Sequence, residues 1–171
     1  VACGRIEGVV LAFGYLGDQG RAEREPEEAR RIMEANYNGA VSILLVAANY
    51  LESEGAGWIV AFGSVAGDRG RQSNYIYGSA KAGLAVFLQG LRSRLYKSGV
   101  HVMTVKPGPV DTGMTFGMDR LPLLAQPDAV AKSVTRALNT NKDVVFVPGL
   151  WRLIMAVLRF VPERLFKKTA L

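Results

Sequence analysis

The feature that most constrains this chain is its rhythm: short, continuous apolar runs alternate with longer stretches of helical periodicity. A run that is apolar at every position suits a strand covered on both faces. Strands separated by helical crossovers pair in parallel. Residues 8–13, 58–63, 100–106 and 144–147 are the expected strands. The first helix should start near Pro26, with Glu27 and Glu28 in its first turn, and run to about Leu51, before Gly55 and Gly57 break the pattern. A second should run from about Asn74 to Lys97 and end at Ser98-Gly99, and a third from Pro127-Asp128 to near Asn139. Residues 107–126, with three prolines and three glycines, form a long loop at the carboxyl end of a strand, where a substrate lid belongs.

The 171 residues suffice for one domain with a proper core, and 49% apolar content with frequent glycine suits a globular α/β protein. Cys3 stands alone, so no internal disulfide can form, and it reads as a small core hydrophobe. His101 is the one histidine; no Cys/His cluster exists, which leaves no metal site to propose, and His101 at the head of a strand reads as structural. A net charge of +6 permits an acidic partner such as a phosphate-bearing substrate or an anionic surface. The aromatic-basic pattern of RNA-binding motifs is missing, so nucleic acid is not the expected partner. No apolar run reaches the ~18–20 residues that span a bilayer. The chain opens at Val1, almost directly into a strand, and reads as one whose beginning is missing.

Chemistry concentrates at Ser64, Tyr77 and Lys81. A Tyr and a Lys four apart share a helix face. Alone, that pair is an ordinary amphipathic couple. The serine at a strand end thirteen residues upstream, and the Gly-Ser-Ala between Tyr77 and Lys81, change the reading. A phenol normally titrates near ~10. A neighbouring ammonium would lower that value, letting Tyr77 donate a proton to a carbonyl oxygen while Ser64 orients it.

These residues, with Asn36-Tyr-Asn-Gly39 upstream and Pro107-Gly-Pro-Val110-Asp-Thr112 downstream, resemble the short-chain dehydrogenase/reductase family over nearly the whole chain, to about Gly149. The resemblance implies a Rossmann-type doubly wound parallel sheet. It implies a catalytic set of Asn36, Ser64, Tyr77 and Lys81, with Asn36 holding a water that links to Lys81. Cofactor contacts would fall to Phe13, Gly14, Tyr77, Lys81, Pro107, Gly108, Val110 and Thr112. Two departures stand out. The Gly-rich turn that seats a dinucleotide pyrophosphate does not occur, so the fold is expected to be N-terminally truncated, without its first strands. The family's Asn-Asn-Ala-Gly is replaced by Leu11-Ala12-Phe13-Gly14.

The second departure resembles one branch, the reductases of decaprenylphosphoryl 2-keto-ribose that make decaprenylphosphoryl arabinofuranose for cell-wall arabinan. The resemblance implies a polyprenyl-phosphate-linked keto-sugar as substrate and an upstream oxidoreductase that makes it. NADH is the implied reductant, with NADPH the alternative. Also implied are a homo-oligomer paired through the two long helices, and a cytoplasmic or membrane-associated place at the cell envelope. A reductase of another ketone (steroid, acyl or sugar) and a non-catalytic binding protein of the same fold are the rival readings. Residues 1–149 read as a partial catalytic domain and 150–171 as its amphipathic basic tail. In that tail Arg152 and Arg159 share one helix face, and Pro162 precedes Arg164, Lys167 and Lys168. Such a helix can lie in a membrane interface, pack on a partner or dock on its own sheet.

Overall fold

The computed structural model describes residues 4–118 and 121–169, so Cys3 lies outside the described residues. Strands β1 (Gly8–Leu11), β2 (Gly57–Phe62), β3 (Val100–Pro107) and β4 (Val144–Val147) form one sheet in chain order, every neighbouring pair parallel. The crossovers are helical, as parallel pairing requires. Helices α3 (Gly39–Glu54) and α4 (Tyr75–Leu95) cover one face, and α5 (Pro127–Asn139) covers the other. The pleat sorts the apolar runs between two cores. Ile59, Ala61 and Val102 pack against α3 and α4, while Val60, Met103 and Val105 pack with α5. This is a Rossmann-type α/β sheet with helices on both faces.

Helix α4 holds the sheet through Leu84, Leu88, Leu91 and Leu95, all buried along one stripe. Truncating Leu88, fully buried, to alanine would cost about 2–5 kcal/mol. Arg92 ties the same helix to the strands: its Nε donates to Val102 O at 2.8 Å, and Nη2 donates to Thr104 Oγ1 at 3.0 Å.

The structure departs from the sequence pattern in four places. The helix expected from Pro26 to Leu51 is broken into α2 (Pro26–Met33), a π-helical turn (Glu34–Asn38) and α3. Apolar periodicity cannot reveal one inserted residue, and π turns gather at functional sites. A short helix α1 (Gln19–Ala22), capped by Asp18 Oδ1 accepting from Arg21 N at 2.8 Å, was not anticipated. Strand β1 stops at Leu11 rather than Phe13, so Ala12–Gly14 turn away from the sheet, and α4 ends at Leu95 in a 3-10 turn (Tyr96–Ser98). The span of α5 is the one the sequence pattern gives.

The tail folds onto the body as α6 (Trp151–Phe160) and α7 (Glu163–Phe166). Trp151, Met155 and Phe166 are buried, and Arg69 lies 4.4 Å over the Phe166 ring. Asp68, in the turn after β2, is a buried carboxylate that accepts from Lys106 at 2.5 Å and pairs with Arg159 at 2.8 Å. Leu153, Val157 and Phe160 face solvent along the outside of α6. Among the described residues no helix is long and apolar enough to cross a membrane.

Candidate active site

The carboxyl ends of β1, β2 and β3 open into a cleft of about 850 Å³, where open α/β sheets place their ligands. Its lining draws on every loop that the sequence singled out: Phe13 and Gly14 after β1, Ser64 after β2, Tyr77 and Lys81 on α4, and Pro107, Gly108, Val110 and Thr112 after β3. Asn36 sits just behind that lining.

Ser64 has extended backbone, φ −167°, and caps the 3-10 turn Val65–Gly67, its Oγ accepting from Ala66 N at 3.1 Å. The turn lies against the start of α4 so closely that a Cβ on Gly78 would come within 2.8 Å of Ala66 O. That backbone contact brings the serine beside Tyr77. Tyr77 is 8% exposed. Burial pushes its phenol above the ordinary value, and the Ser64 hydroxyl pulls it partway back.

Lys81 is 3% exposed, and its ammonium donates to Phe62 O at 3.0 Å. Burial lowers its pKa to about 8. It stands 5.8 Å from the centroid of the Tyr77 ring. The expected lowering of the tyrosine by the lysine is therefore not the dominant effect: desolvation of the phenol wins. A phenol held protonated is the form a proton donor needs.

Asn36, 1% exposed, is used as a clamp. Its Nδ2 donates to Tyr15 O at 2.5 Å and Ile32 O at 2.8 Å, and its Oδ1 accepts from Tyr15 N at 3.2 Å. Both amide protons are consumed, leaving Oδ1 one further lone pair. That oxygen would lie 2.9 Å from a Cβ at Gly14, and Lys81 Nζ would lie 3.4 Å from it. Glycine at 14 thus lets the turn pass directly over Asn36 and Lys81. The same turn is pinned through Tyr15, whose hydroxyl donates to the buried Glu28 at 2.6 Å. That bond holds the Glu28 carboxyl below the usual carboxylate range.

The β3 loop offers backbone. Val110 O accepts from Thr115 Oγ1 at 2.6 Å and Thr112 Oγ1 at 3.3 Å, while among the described residues its N–H has no hydrogen-bond acceptor. Gly108 has a different reason for being glycine than close approach of a cofactor ring: its Cβ would lie 2.0 Å from Trp151 Nε1. The planar ring that approaches this backbone belongs to α6.

Sequence reasoning missed Glu28, Asp68, Arg71 and Asn74. Glu28 read as a first-turn acid of a helix, and its burial depends on Tyr15, thirteen residues away. Asp68 carried no motif. Arg71 and Asn74 lie between two recognised motifs and line the same cleft.

A parallel α/β sheet with a buried tyrosine and lysine and a half-buried serine at its strand ends defines a class of nucleotide-dependent oxidoreductase fold. The model for short chain dehydrogenases matches residues 1–120, and the chain belongs to that family. It is 42% identical to an uncharacterized oxidoreductase of Streptomyces coelicolor, over 98% of the chain and 66% of the relative. An uncharacterized oxidoreductase of Mycobacterium tuberculosis is also 42% identical, over 96% of the chain and 66% of the relative. The chain thus spans 66% of the length of these curated relatives. Among solved structures, a short chain dehydrogenase of Burkholderia cenocepacia in complex with NADP superimposes with a TM-score of 0.82 at 25% identity, over 95% of this chain and 70% of that one.

Proposed function

We propose that the chain carries the carbonyl-binding and proton-transfer part of an NAD(P)H-dependent ketone reductase. The observation that carries this reading is the convergence of Ser64, Tyr77 and Lys81 on one cleft wall, with the Gly14 turn against Asn36 and Lys81. When bound, a reduced nicotinamide supplies a hydride to the carbonyl carbon. Tyr77 gives its proton to the carbonyl oxygen, so ketone becomes alcohol. Ser64 holds that oxygen, and the Lys81 ammonium favours the phenolate left behind. Lys81 has donors to spare after Phe62 O, and these suit ribose hydroxyls; the Val110 N–H suits a carboxamide oxygen. Asn36 acts mainly by fixing the Gly14 turn, with one Oδ1 lone pair left for a water. The NADP in the Burkholderia structure supports a nicotinamide cofactor and argues against reserving the site for NADH.

The substrate we propose is the 2-keto group of a polyprenylphosphoryl keto-pentose, reduced to the arabinofuranose epimer. Exposed apolar side chains support it: Met114 and Met118 line the cleft, and Phe116 and Leu124 are exposed on the same stretch after β3, a surface that would accept a lipid chain. The outward apolar face of α6, beside basic Arg164 and Lys167, supports membrane-surface contact. Exposed Ile43 and Val46 on α3 and Val86 on α4 support pairing with a second copy. The test is NADH or NADPH oxidation by the full-length protein with a polyprenylphosphoryl 2-keto-pentose, against a steroid ketone and a β-ketoacyl thioester. Turnover of the keto-sugar at least ten times faster supports the reading; preference for either other ketone replaces it.

A further inference from the structure

Three buried polar atoms of the cleft-lining residues are left unmatched among the described residues: Trp151 Nε1, which lies against Gly108, and a pair on the turn before α4 that is unmatched in opposite senses. Arg71 Nε is buried without a hydrogen-bond acceptor, and Asn74 Oδ1 is buried without a donor. Both residues line the cleft with Tyr77. They are held in one turn, Asn74 N donating to Arg71 O at 3.2 Å, immediately before α4. No carboxylate among the described residues pairs with Arg71. Although Asn74 occupies the N-cap position of α4, its side chain makes no capping bond. The free N–H of Ile76 is instead taken by Gln19 Oε1 at 3.2 Å. Leaving a buried guanidinium donor and a buried amide acceptor unpaired is costly, and unpaired groups of this kind at a site mark a missing ligand atom.

We infer that Arg71 and Asn74 form a substrate subsite for a hydroxylated anion, Arg71 taking a phosphate or carboxylate oxygen and Asn74 Oδ1 a hydroxyl. The inference rests on Tyr77 being the place where the carbonyl is reduced, since it orients the substrate around that residue. An arginine fork suits a phosphate group in geometry as well as charge. Arg71 lies six residues before Tyr77, on the turn that leads into the same helix, and lines the same cleft. Asp18 is a carboxylate of the lining, and one of its oxygens is occupied by the Arg21 N–H. The specificity that follows is for a polyhydroxylated carbonyl compound bearing a negative charge, over a neutral ketone of the same size. An anion in this cleft has two sources, the substrate or the phosphates of the dinucleotide, and the experiment separates them.

The probes are ribose 5-phosphate, ribose and NADPH, each titrated calorimetrically into the full-length protein and into its Arg71→Met, Arg71→Lys, Asn74→Ala and Tyr77→Phe variants. Ribose 5-phosphate should bind at least ten-fold tighter than ribose. Arg71→Met should erase that preference, Arg71→Lys should keep part of it, and Asn74→Ala should weaken both sugars several-fold. NADPH affinity should stay within two-fold in all three of these variants. Equal binding of the two sugars by the unmodified protein overturns the inference, as does an undiminished preference in Arg71→Met. Loss of NADPH affinity in Arg71→Met, with ribose 5-phosphate competing against NADPH, assigns the anion to the cofactor and also overturns it. The lysine variant guards against misfolding of the methionine variant. Tyr77→Phe separates this inference from the reductase reading. If it keeps the sugar-phosphate preference while full-length protein reduces no ketone, the reductase reading falls and the subsite stands.

Discussion

The two walls of the cleft are built on different principles. The wall from Ser64 to Lys81 hangs on β2 and α4, with Tyr77 and Lys81 8% and 3% exposed. The facing wall is the loop after β3, lined by Val110, Thr112, Met114 and Met118, with both methionines in solvent and Phe116 on the same loop 91% exposed. Proton transfer tolerates little misplacement, so its groups sit on rigid elements whose rotamers are fixed by packing. Recognition of an apolar chain needs area more than angle, and a loop supplies it. On the proposed function, the first wall would carry rate and the second affinity.

The largest break in that division should come from Tyr77→Phe. Losing the proton donor should cut turnover about 10³-fold, while the melting temperature barely moves because the ring still fills its place. Tyr75→Phe on the same helix is the control: its side chain is exposed, and the tyrosine lies six residues from Lys81, on another face. It should keep activity within two-fold. Near-normal turnover by the Tyr77 variant in steady-state assays of the full-length protein would end the assignment of chemistry to this wall.

Next in size is Asp68→Ala, which tests what holds the first wall to the tail. Asp68 is buried between Lys106, itself nearly covered, and Arg159. Removing the carboxylate strands the Lys106 ammonium, an expected loss of about 3–5 kcal/mol. Glu163→Ala breaks only the exposed contact to Arg69 and should cost under about 1 kcal/mol. Urea unfolding of the two variants makes the comparison. Equal losses would mean that burial is not what makes the Asp68 cluster matter.

Lys81→Met should move activity and stability in opposite directions. Turnover should fall about 10²-fold, as an ammonium near the phenolate is lost. Yet the folded chain lowers this lysine to about 8, so keeping it charged opposes folding. Below pH 8 that cost is fully present, about 3 kcal/mol for the shift. Between pH 8 and the unfolded value of 10.5 the unfolded chain binds more protons, so stability rises with pH. In Lys81→Met this pH-dependent rise should vanish, and stability at pH 7 should increase by about 1–3 kcal/mol. A variant that is less stable at pH 7 would show that the bond to Phe62 O outweighs desolvation.

Legibility in the sequence followed the same division. Strands, α5 and the chemistry at Ser64, Tyr77 and Lys81 could be read because local periodicity and a four-residue spacing determine them. The π turn at Asn36 could not, since it exists to meet the backbone of Tyr15, twenty-one residues earlier. Gly108 was expected only as a cofactor contact, and its packing against Trp151, which leaves no room for a side chain, has no local pattern to announce it. Lys81 acting on Tyr77 was a statement about charge; the structure adds the desolvation that reverses its sign. What stayed hidden is what depends on contacts between segments far apart in the chain.

The smallest effect tests the second wall. Phe116→Ser removes a side chain that is 91% exposed, so folding stability should stay within about 0.5 kcal/mol. If the loop recognises an apolar chain, the lost contact area appears only once substrate is bound. KM for a ketone with a long lipid tail should then rise about 3–10-fold, with kcat unchanged and a short water-soluble ketone unaffected. A fall in kcat for both ketones would place Phe116 in the rate-determining geometry, and the two walls would no longer divide rate from affinity. A KM change for the short ketone alone would mean that the loop closes over the carbonyl rather than over the tail.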